Sequence, residues 1–260
     1  MDTVPRLMDF VLISARGAND EPHWSRATAA LVAQALTSQG AAVRWLCARN
    51  AREPAPAAVA GLEIFDLPAA PVPFRAVEAR VIDNPMDILL AQQMRKRPPD
   101  LVMQLGVGAI SSANPLWIAD RMGAPGLAVV RATELLCHRG TLVNERGTAC
   151  RSVFDAARCT TCCNSASPQG PTKRAAIGAL CLRWLGGCSP FPSPVQFLNR
   201  ADLLLASLQL AAAVVTSDAA ELALLASAGL PARTLVASSG VSLVDTIVDL
   251  ALRLSARTLT

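Results

Sequence analysis

Residues 100–130, DLVMQLGVGAISSANPLWIADRMGAPGLAVV, decide the fold. The apolar run at 101–105 is typical of a strand buried on both faces of a parallel sheet. A Gly106-Val107-Gly108 turn follows, and a serine then precedes a helix that ends at a glycine and a proline. A second apolar run at 127–130 completes the stretch. Strand, helix and strand in this order predict a βαβ unit.

The same alternation of strands and helices extends in both directions from this unit, which predicts an α/β fold with a mostly parallel sheet. We expect a single Rossmann-like three-layer domain over residues 1–260, interrupted at 131–171 by a cysteine-rich loop insertion. Further strands are predicted at 8–14, 43–47, 62–65, 211–216 and 234–237, and further helices at 24–39, 85–97, 172–185, 193–210, 218–229 and 243–254.

Composition excludes several classes of protein. The chain has 260 residues, 52% of them hydrophobic, and a net charge of only +4, which is not the composition of a disordered protein. The charge-free stretch 101–119 contains too many polar residues for a membrane-spanning helix, and the N-terminus lacks the pattern of a signal peptide. The arginines are scattered along the whole chain and form no basic patch, which argues against nucleic-acid binding. We therefore expect a cytoplasmic protein.

Five of the eight cysteines lie in the predicted insertion, with the spacing C-x12-C-x8-C-x2-C-C. Four thiolates suit a tetrahedral zinc ion, and a C-x-x-C pair in a cytosolic protein favours a metal or redox role over a structural disulfide. An iron-sulfur cluster, a disulfide pair and free thiols without a specific role remain alternatives. The predicted zinc ligands are Cys137, Cys150, Cys159 and Cys162, with Cys163 as an alternate fourth ligand.

The segment LLCHRGTLVNERGTAC at 135–150, followed by ARCTTCC at 157–163, resembles a cysteine-bearing subgroup of GT-B glycosyltransferases of the family 4 type. Residues 99–130 look like the strand, helix and strand that precede this loop in the family. The stretch 199–242 is similar to the family's later strand that ends in a serine, here Ser217. In order, these segments cover most of residues 8–242.

The resemblance implies one half of a GT-B fold, the half that binds the acceptor. In the family a C-terminal domain binds the nucleotide sugar, and we expect that donor-binding domain to be absent from this chain. Sugar transfer would then need a separately encoded donor-binding subunit that brings the nucleotide sugar as co-substrate. The acceptor would be a saccharide or a lipid-linked saccharide. A basic helix with a tryptophan at 173–184 would allow at most peripheral contact with the inner face of the membrane.

Ligands of parallel α/β sheets bind beyond the carboxyl ends of the strands, and we predict the cleft residues there. Glu134 is the candidate general base for an acceptor hydroxyl. A surface glutamate paired with an arginine is the simpler alternative for Glu134. His138 could replace a cysteine as metal ligand or simply be solvated. The predicted acceptor or cleft residues are Arg16, His23, Gly106, Gly108, Arg131 and Ser217.

Two alternatives to such an enzyme follow where these motifs differ from the expected pattern. The family's His-Asp pair before the first cysteine is replaced by the run from Arg131 to Glu134. This change favours a non-catalytic, metal-stabilised binding or scaffold module with a degenerate glycosyltransferase fold. A nucleotide-dependent oxidoreductase is the weaker alternative, because a serine stands where the dinucleotide motif that begins at Gly106 needs its third glycine.

Overall fold

The computed structural model describes residues 7–14, 24–49, 60–68, 84–107, 112–138, 141–144, 146–150, 155–165, 184, 193–230, 235–237 and 242–258. Within them, seven strands form one sheet in the order β3-β2-β1-β4-β5-β6-β7. Every neighbouring pair is parallel. The strands are β1 Asp9–Ser14, β2 Ala42–Arg49, β3 Leu62–Pro68, β4 Leu101–Leu105, β5 Gly126–Val129, β6 Ala213–Thr216 and β7 Leu235–Ala237.

Helices connect the strands on both faces of the sheet, so the α/β prediction is confirmed and the architecture is that of a Rossmann-like domain. Each predicted strand is present, with its ends moved by no more than a few residues. The helices are α1 Trp24–Ser38, α2 Asn84–Lys96, α3 Asn114–Arg121, α4 Ala132–Leu136, α5 Ala156–Ser165, α6 Pro194–Gln209, α7 Ala219–Ser227 and α8 Leu243–Thr258.

Alternate residues of the strands build the two sides of the core, as the two-residue period of a strand requires. Phe10 and Leu12 of β1 lie in the cluster that packs against α1 and α8. Val11 and Ile13 lie in the opposite cluster, with α2 and α3. A third cluster joins α3, α4, α6 and α7 to the strands β5 and β6. The sheet is therefore the middle of three layers.

The predicted loop insertion is wrong in one respect, since its described residues include regular structure. The helix α4 begins directly after β5, α5 carries three of the cysteines, and a bridge between Val143 and Ala149 closes a small hairpin between them. The predicted helix at 172–185 lies outside the described residues except for Trp184, which is 76% exposed. No described helix is both long enough and apolar enough to span a membrane.

Candidate functional site

The strand order has a topological switch point between β1 and β4. From β1 the chain moves outward to β2 and β3, and it returns to the other side of β1 with β4. Ligands bind at such switch points in open parallel sheets, beyond the carboxyl ends of the strands. Gly106 follows β4 at this point, with φ +84°, a conformation that favours glycine. Its backbone N–H donates to the Val129 carbonyl at 2.8 Å, so the turn is tied to β5.

Three side chains from distant segments meet at this edge of the sheet. Trp24 begins α1, Arg131 follows β5, and Glu134 lies in α4. The indole Nε1 of Trp24 donates to Oε1 of Glu134 at 2.6 Å. The guanidinium carbon of Arg131 lies 4.6 Å from the centre of the Trp24 ring, close enough for a cation–π contact. The indole therefore holds a carboxylate and a guanidinium on neighbouring sides of one ring.

Glu221 connects the neighbouring strand end to the same group. Its Oε2 accepts a hydrogen bond from the Ser217 hydroxyl at 2.6 Å, and its Oε1 accepts from the backbone N–H of Ala132 at 3.1 Å. The carboxylate thus joins the end of β6 to the start of α4. The sequence indicates Asp218 and Glu221 as a helix start, and Asp218 does accept from the Glu221 N–H. The hydrogen bond that the Glu221 side chain accepts from Ala132 spans 89 residues, so a local helix-start pattern does not predict it.

Arg200 supports α4 through hydrogen bonds to its backbone carbonyls. It lies on α6, and the residue is only 5% exposed. Its Nη1 donates to the Leu135 carbonyl at 3.1 Å and its Nη2 to the Glu134 carbonyl at 3.0 Å. A five-residue helix leaves most of its carbonyls without an intrahelical partner. Arg200 satisfies two of them and so fixes the helix that carries Glu134.

Four of the predicted cleft and catalytic residues gather along this edge: Gly106, Arg131, Glu134 and Ser217. The other three, Arg16, His23 and Gly108, lie outside the described residues. Glu134 is half-buried, and its Oε1 accepts the hydrogen bond from the Trp24 indole. Sequence reasoning missed Trp24, Arg200 and Glu221. Each belongs to an ordinary helix pattern, and only the tertiary fold brings it to α4.

The predicted metal ligands surround one cavity of about 700 Å³. Cys137 follows α4, Cys150 ends the hairpin, and Cys159, Cys162 and Cys163 lie on α5. All five are half-buried. Burial raises the pKa of the Cys159 thiol to about 11, with the thiols of Cys137, Cys150 and Cys162 adding to the rise and Arg200 opposing it. Cys137, Cys150 and Cys162 therefore lie near Cys159.

Metal binding would require these thiols to move closer together. Within the described residues, no group of three or more His, Cys, Asp or Glu side chains is arranged to hold a metal ion as it stands. The donor set still has the right chemistry, because thiolates are preferred ligands of zinc. His138 lines the same cavity, and its ring meets the edge of Phe197 at 5.5 Å between centroids.

Comparison with known proteins gives distant structural similarity and no sequence match. No protein-family model matches the chain, and neither does any curated protein. Among solved structures it is similar to LpCGTa in complex with UDP, with 14% identity, a TM-score of 0.44 and coverage of 91% of this chain and 53% of that one. It is also similar to the UDP-N-acetylglucosamine 2-epimerase of Rickettsia bellii, with 11% identity and a TM-score of 0.44. That match covers 95% of this chain and 48% of the epimerase.

A third similar structure is the UDP-GlcNAc 2-epimerase of Methanocaldococcus jannaschii, with 10% identity and a TM-score of 0.45. The match covers 96% of this chain and 49% of the epimerase. The chain thus spans about half the length of each of these three structures.

Proposed function

We propose that the chain is the acceptor-binding half of a GT-B glycosyltransferase of the family 4 type, which transfers a sugar from a nucleotide sugar to a saccharide or lipid-linked acceptor. The observation that carries this proposal is the Glu134 carboxylate, held by the Trp24 indole at the switch point of the sheet. The ordered sequence resemblance from residue 8 to residue 242 gives the proposal its reaction class.

Glu134 acts as the general base in this proposal. Transfer requires an acceptor hydroxyl to lose its proton as the new glycosidic bond forms, and a positioned carboxylate takes such a proton. The hydrogen bond from Trp24 fixes the orientation of the Glu134 carboxylate, and Arg200 fixes the backbone that carries it. A carboxylate whose orientation is already fixed loses less entropy when the transition state forms, which lowers the barrier.

Arg131 provides positive charge beside the proposed base. It is exposed, and its guanidinium is held against the Trp24 ring. Guanidinium groups bind phosphate oxygens through paired hydrogen bonds. We assign Arg131 to the leaving diphosphate of the donor or to the phosphate of a lipid-linked acceptor. A donor-binding subunit would supply the rest of the nucleotide-sugar site.

The test is transfer by the full chain together with its donor-binding partner. The chain is expressed with the products of adjacent reading frames, isolated by an affinity tag, and incubated with radiolabelled UDP- and GDP-sugars. Saccharide and lipid extracts serve as acceptors. We expect a co-purifying protein with a nucleotide-sugar domain and label in one acceptor fraction. Neither a complex nor transferred label in any combination would contradict the proposal.

A non-catalytic binding module is the second candidate, favoured by the run from Arg131 to Glu134 in place of the family's His-Asp pair. The two candidates differ in their response to saccharide and donor. A binding module retains saccharide on a glycan array and transfers no label with any partner. Heat released on titrating the full chain with UDP-GlcNAc would count against it.

The lipid-linked acceptor and the position at the inner face of the membrane stay predictions. Of the basic helix that motivates them, only Trp184 lies in the described part of the chain, and it is exposed. Sedimentation of the full chain with anionic and neutral vesicles distinguishes a membrane-associated protein from one that acts on a free saccharide. We expect partial binding to anionic vesicles alone.

A further inference from the structure

The cysteine-lined cavity is built where the chain has little apolar surface to bury. Among the described residues between 137 and 163, Thr160 is the one whose side chain is buried, at 7% exposure. From the hairpin, Leu142 is partly buried and packs against the core cluster that contains Leu136 and Leu204. Ordering a segment costs about 1–2 kcal/mol per residue in backbone entropy, which burial normally offsets. A bound metal ion would add to the limited packing that holds the hairpin and α5 in place.

Three segments line the cavity, and two of them contact each other through a cysteine. The backbone N–H of Cys150 donates to the Leu142 carbonyl at 2.7 Å at the base of the hairpin. The Cys162 sulfur lies 4.0 Å from the Val143 carbonyl oxygen, so α5 touches the hairpin there. Cys137 follows the last residue of α4. Each segment thus brings at least one sulfur to the same space.

Spacing on α5 directs two sulfurs to one side. Cys159 and Cys162 are three residues apart, a separation that places side chains on the same face of a helix. Cys163, four residues after Cys159, lies beside them. The hairpin sulfur and the α4 sulfur then complete a set of four from three segments. Four thiolates around one ion are typical of structural zinc.

We propose that Cys137, Cys150, Cys159 and Cys162 bind one zinc ion, and that this ion fixes the position of α4. The thiols draw together around the metal and release their protons to solvent as thiolates. Because Cys137 is three residues from Glu134, the ion holds the end of the short helix that carries the proposed base. This second statement rests on the proposed function only for the role of Glu134.

Arg200 connects α4 to the helix that packs against α5. It lies on α6 and donates to the carbonyls of Glu134 and Leu135. The same helix contacts α5, which carries Cys159 and Cys162. A metal ion that holds α5 in place would therefore also support the helix that positions α4.

The experiment measures metal content in the full chain purified under reducing conditions from zinc-containing medium. We expect about one zinc per chain in the wild type, the stoichiometry of a four-thiolate site. Cys159→Ser and Cys162→Ser should lose the metal. Cys47→Ala is the matched control, since Cys47 is buried in β2 away from the cavity, and it should retain zinc.

Several outcomes would overturn the assignment. Wild-type protein that stays free of zinc after reconstitution contradicts the site, and iron with visible absorption contradicts the choice of metal. If Cys162→Ser retains zinc and Cys163→Ser loses it, the proposed set of ligands is wrong. If a serine variant fails to fold, the wild type titrated with a chelator gives the answer, because chelation should release zinc stoichiometrically.

Hydrogen exchange on the wild type tests the link to α4 without any activity assay. Removing zinc should speed amide exchange in Ala132–Leu136 and Ala156–Ser165 at least tenfold, and leave Asp9–Ser14 unchanged. Faster exchange in α5 alone would contradict the link to α4 while leaving the metal site intact. Failure of the proposed sugar transfer would affect neither readout.

Discussion

The two ends of the sheet carry charged residues in different ways. At the amino ends of the strands, Arg44 is 1% exposed and donates to Asp9 at 3.2 Å and to the carbonyls of Gln93 and Arg97 at 2.7 Å. Arg97 forms an ion pair with Asp9 at 2.5 Å. The backbone N–H of Asp9 donates to Asp100, which precedes β4. These groups satisfy one another and join three strands.

At the carboxyl ends, the charged residues join loops and a short helix, and several are open to solvent. Arg131 and Ser217 are exposed, and Glu134 is half-buried. Their contacts position side chains at the switch point and do not connect neighbouring strands directly. The comparison indicates that charges at the amino ends stabilise the sheet, whereas charges at the carboxyl ends border the proposed cleft. Substitutions at the two ends should therefore affect different properties.

The largest effect on stability is expected from Arg44→Met. The change leaves the buried Asp9 carboxylate with Arg97 alone and removes the donor to the carbonyls of Gln93 and Arg97. Breaking a buried ion pair in this way typically costs about 3–5 kcal/mol. Urea unfolding followed by circular dichroism measures the loss. Arg95→Met is the matched control, because Arg95 is exposed on α2 and should change the free energy of unfolding by less than about 0.5 kcal/mol. Equal effects of the two variants would contradict the role of Arg44.

An intermediate effect is expected from Arg200→Met. Two carbonyls of α4 lose their donor, and an unsatisfied buried polar group costs about 1–3 kcal/mol. Exchange of the α4 amides should also become faster, whereas Arg121→Met, an exposed change on α3, should leave both values unaltered. Unchanged protection of α4 in Arg200→Met would show that the helix does not depend on this arginine.

The smallest effect is expected at Asp218, which caps α7. The hydrogen bond from the Glu221 N–H lowers the pKa of Asp218 below its ordinary value of 3.8. A lowered pKa in the folded state means that the stabilisation is present above pH 3.8 and is lost as the pH falls through the lowered value. Asp218→Asn should remove this small part of the acid dependence. Thermal unfolding between pH 2 and pH 6 measures it, and identical profiles would contradict the prediction.

Much of the sheet could be predicted from the sequence because its strands are short runs with local patterns. The strand at 101–105 is predicted to the residue, and the helix start at Asp218 is also correct. Arg44 shows where such reasoning ends. It lies between apolar residues in β2, and its burial depends on Asp9, 35 residues away. No local pattern reports that pairing.

The candidate site shows the same division. Arg131, Glu134 and Gly106 follow predicted strands, so their place at one edge could be anticipated from topology. The helix α4 could not, because five residues carry too weak a periodic pattern, and its support comes from Arg200 and Glu221 at separations of 65 and 89 residues. The spacing predicts that the cysteines share one region, whereas the cavity that they line beside α4 is visible only in the structure.

One pair of variants tests most directly whether the carboxyl ends form the functional site. Glu134→Gln and Glu63→Gln make the same chemical change at opposite ends of the sheet, since the exposed Glu63 pairs with Arg97 near the amino ends. The measurement is the rate of sugar transfer by the full chain with its donor-binding partner. Loss of a general base predicts a rate lower by about a hundredfold to ten-thousandfold for Glu134→Gln. The Glu63→Gln rate should stay within about twofold of wild type, since its exposed ion pair contributes little. Equal rates for the two variants, with both folded, would contradict the account.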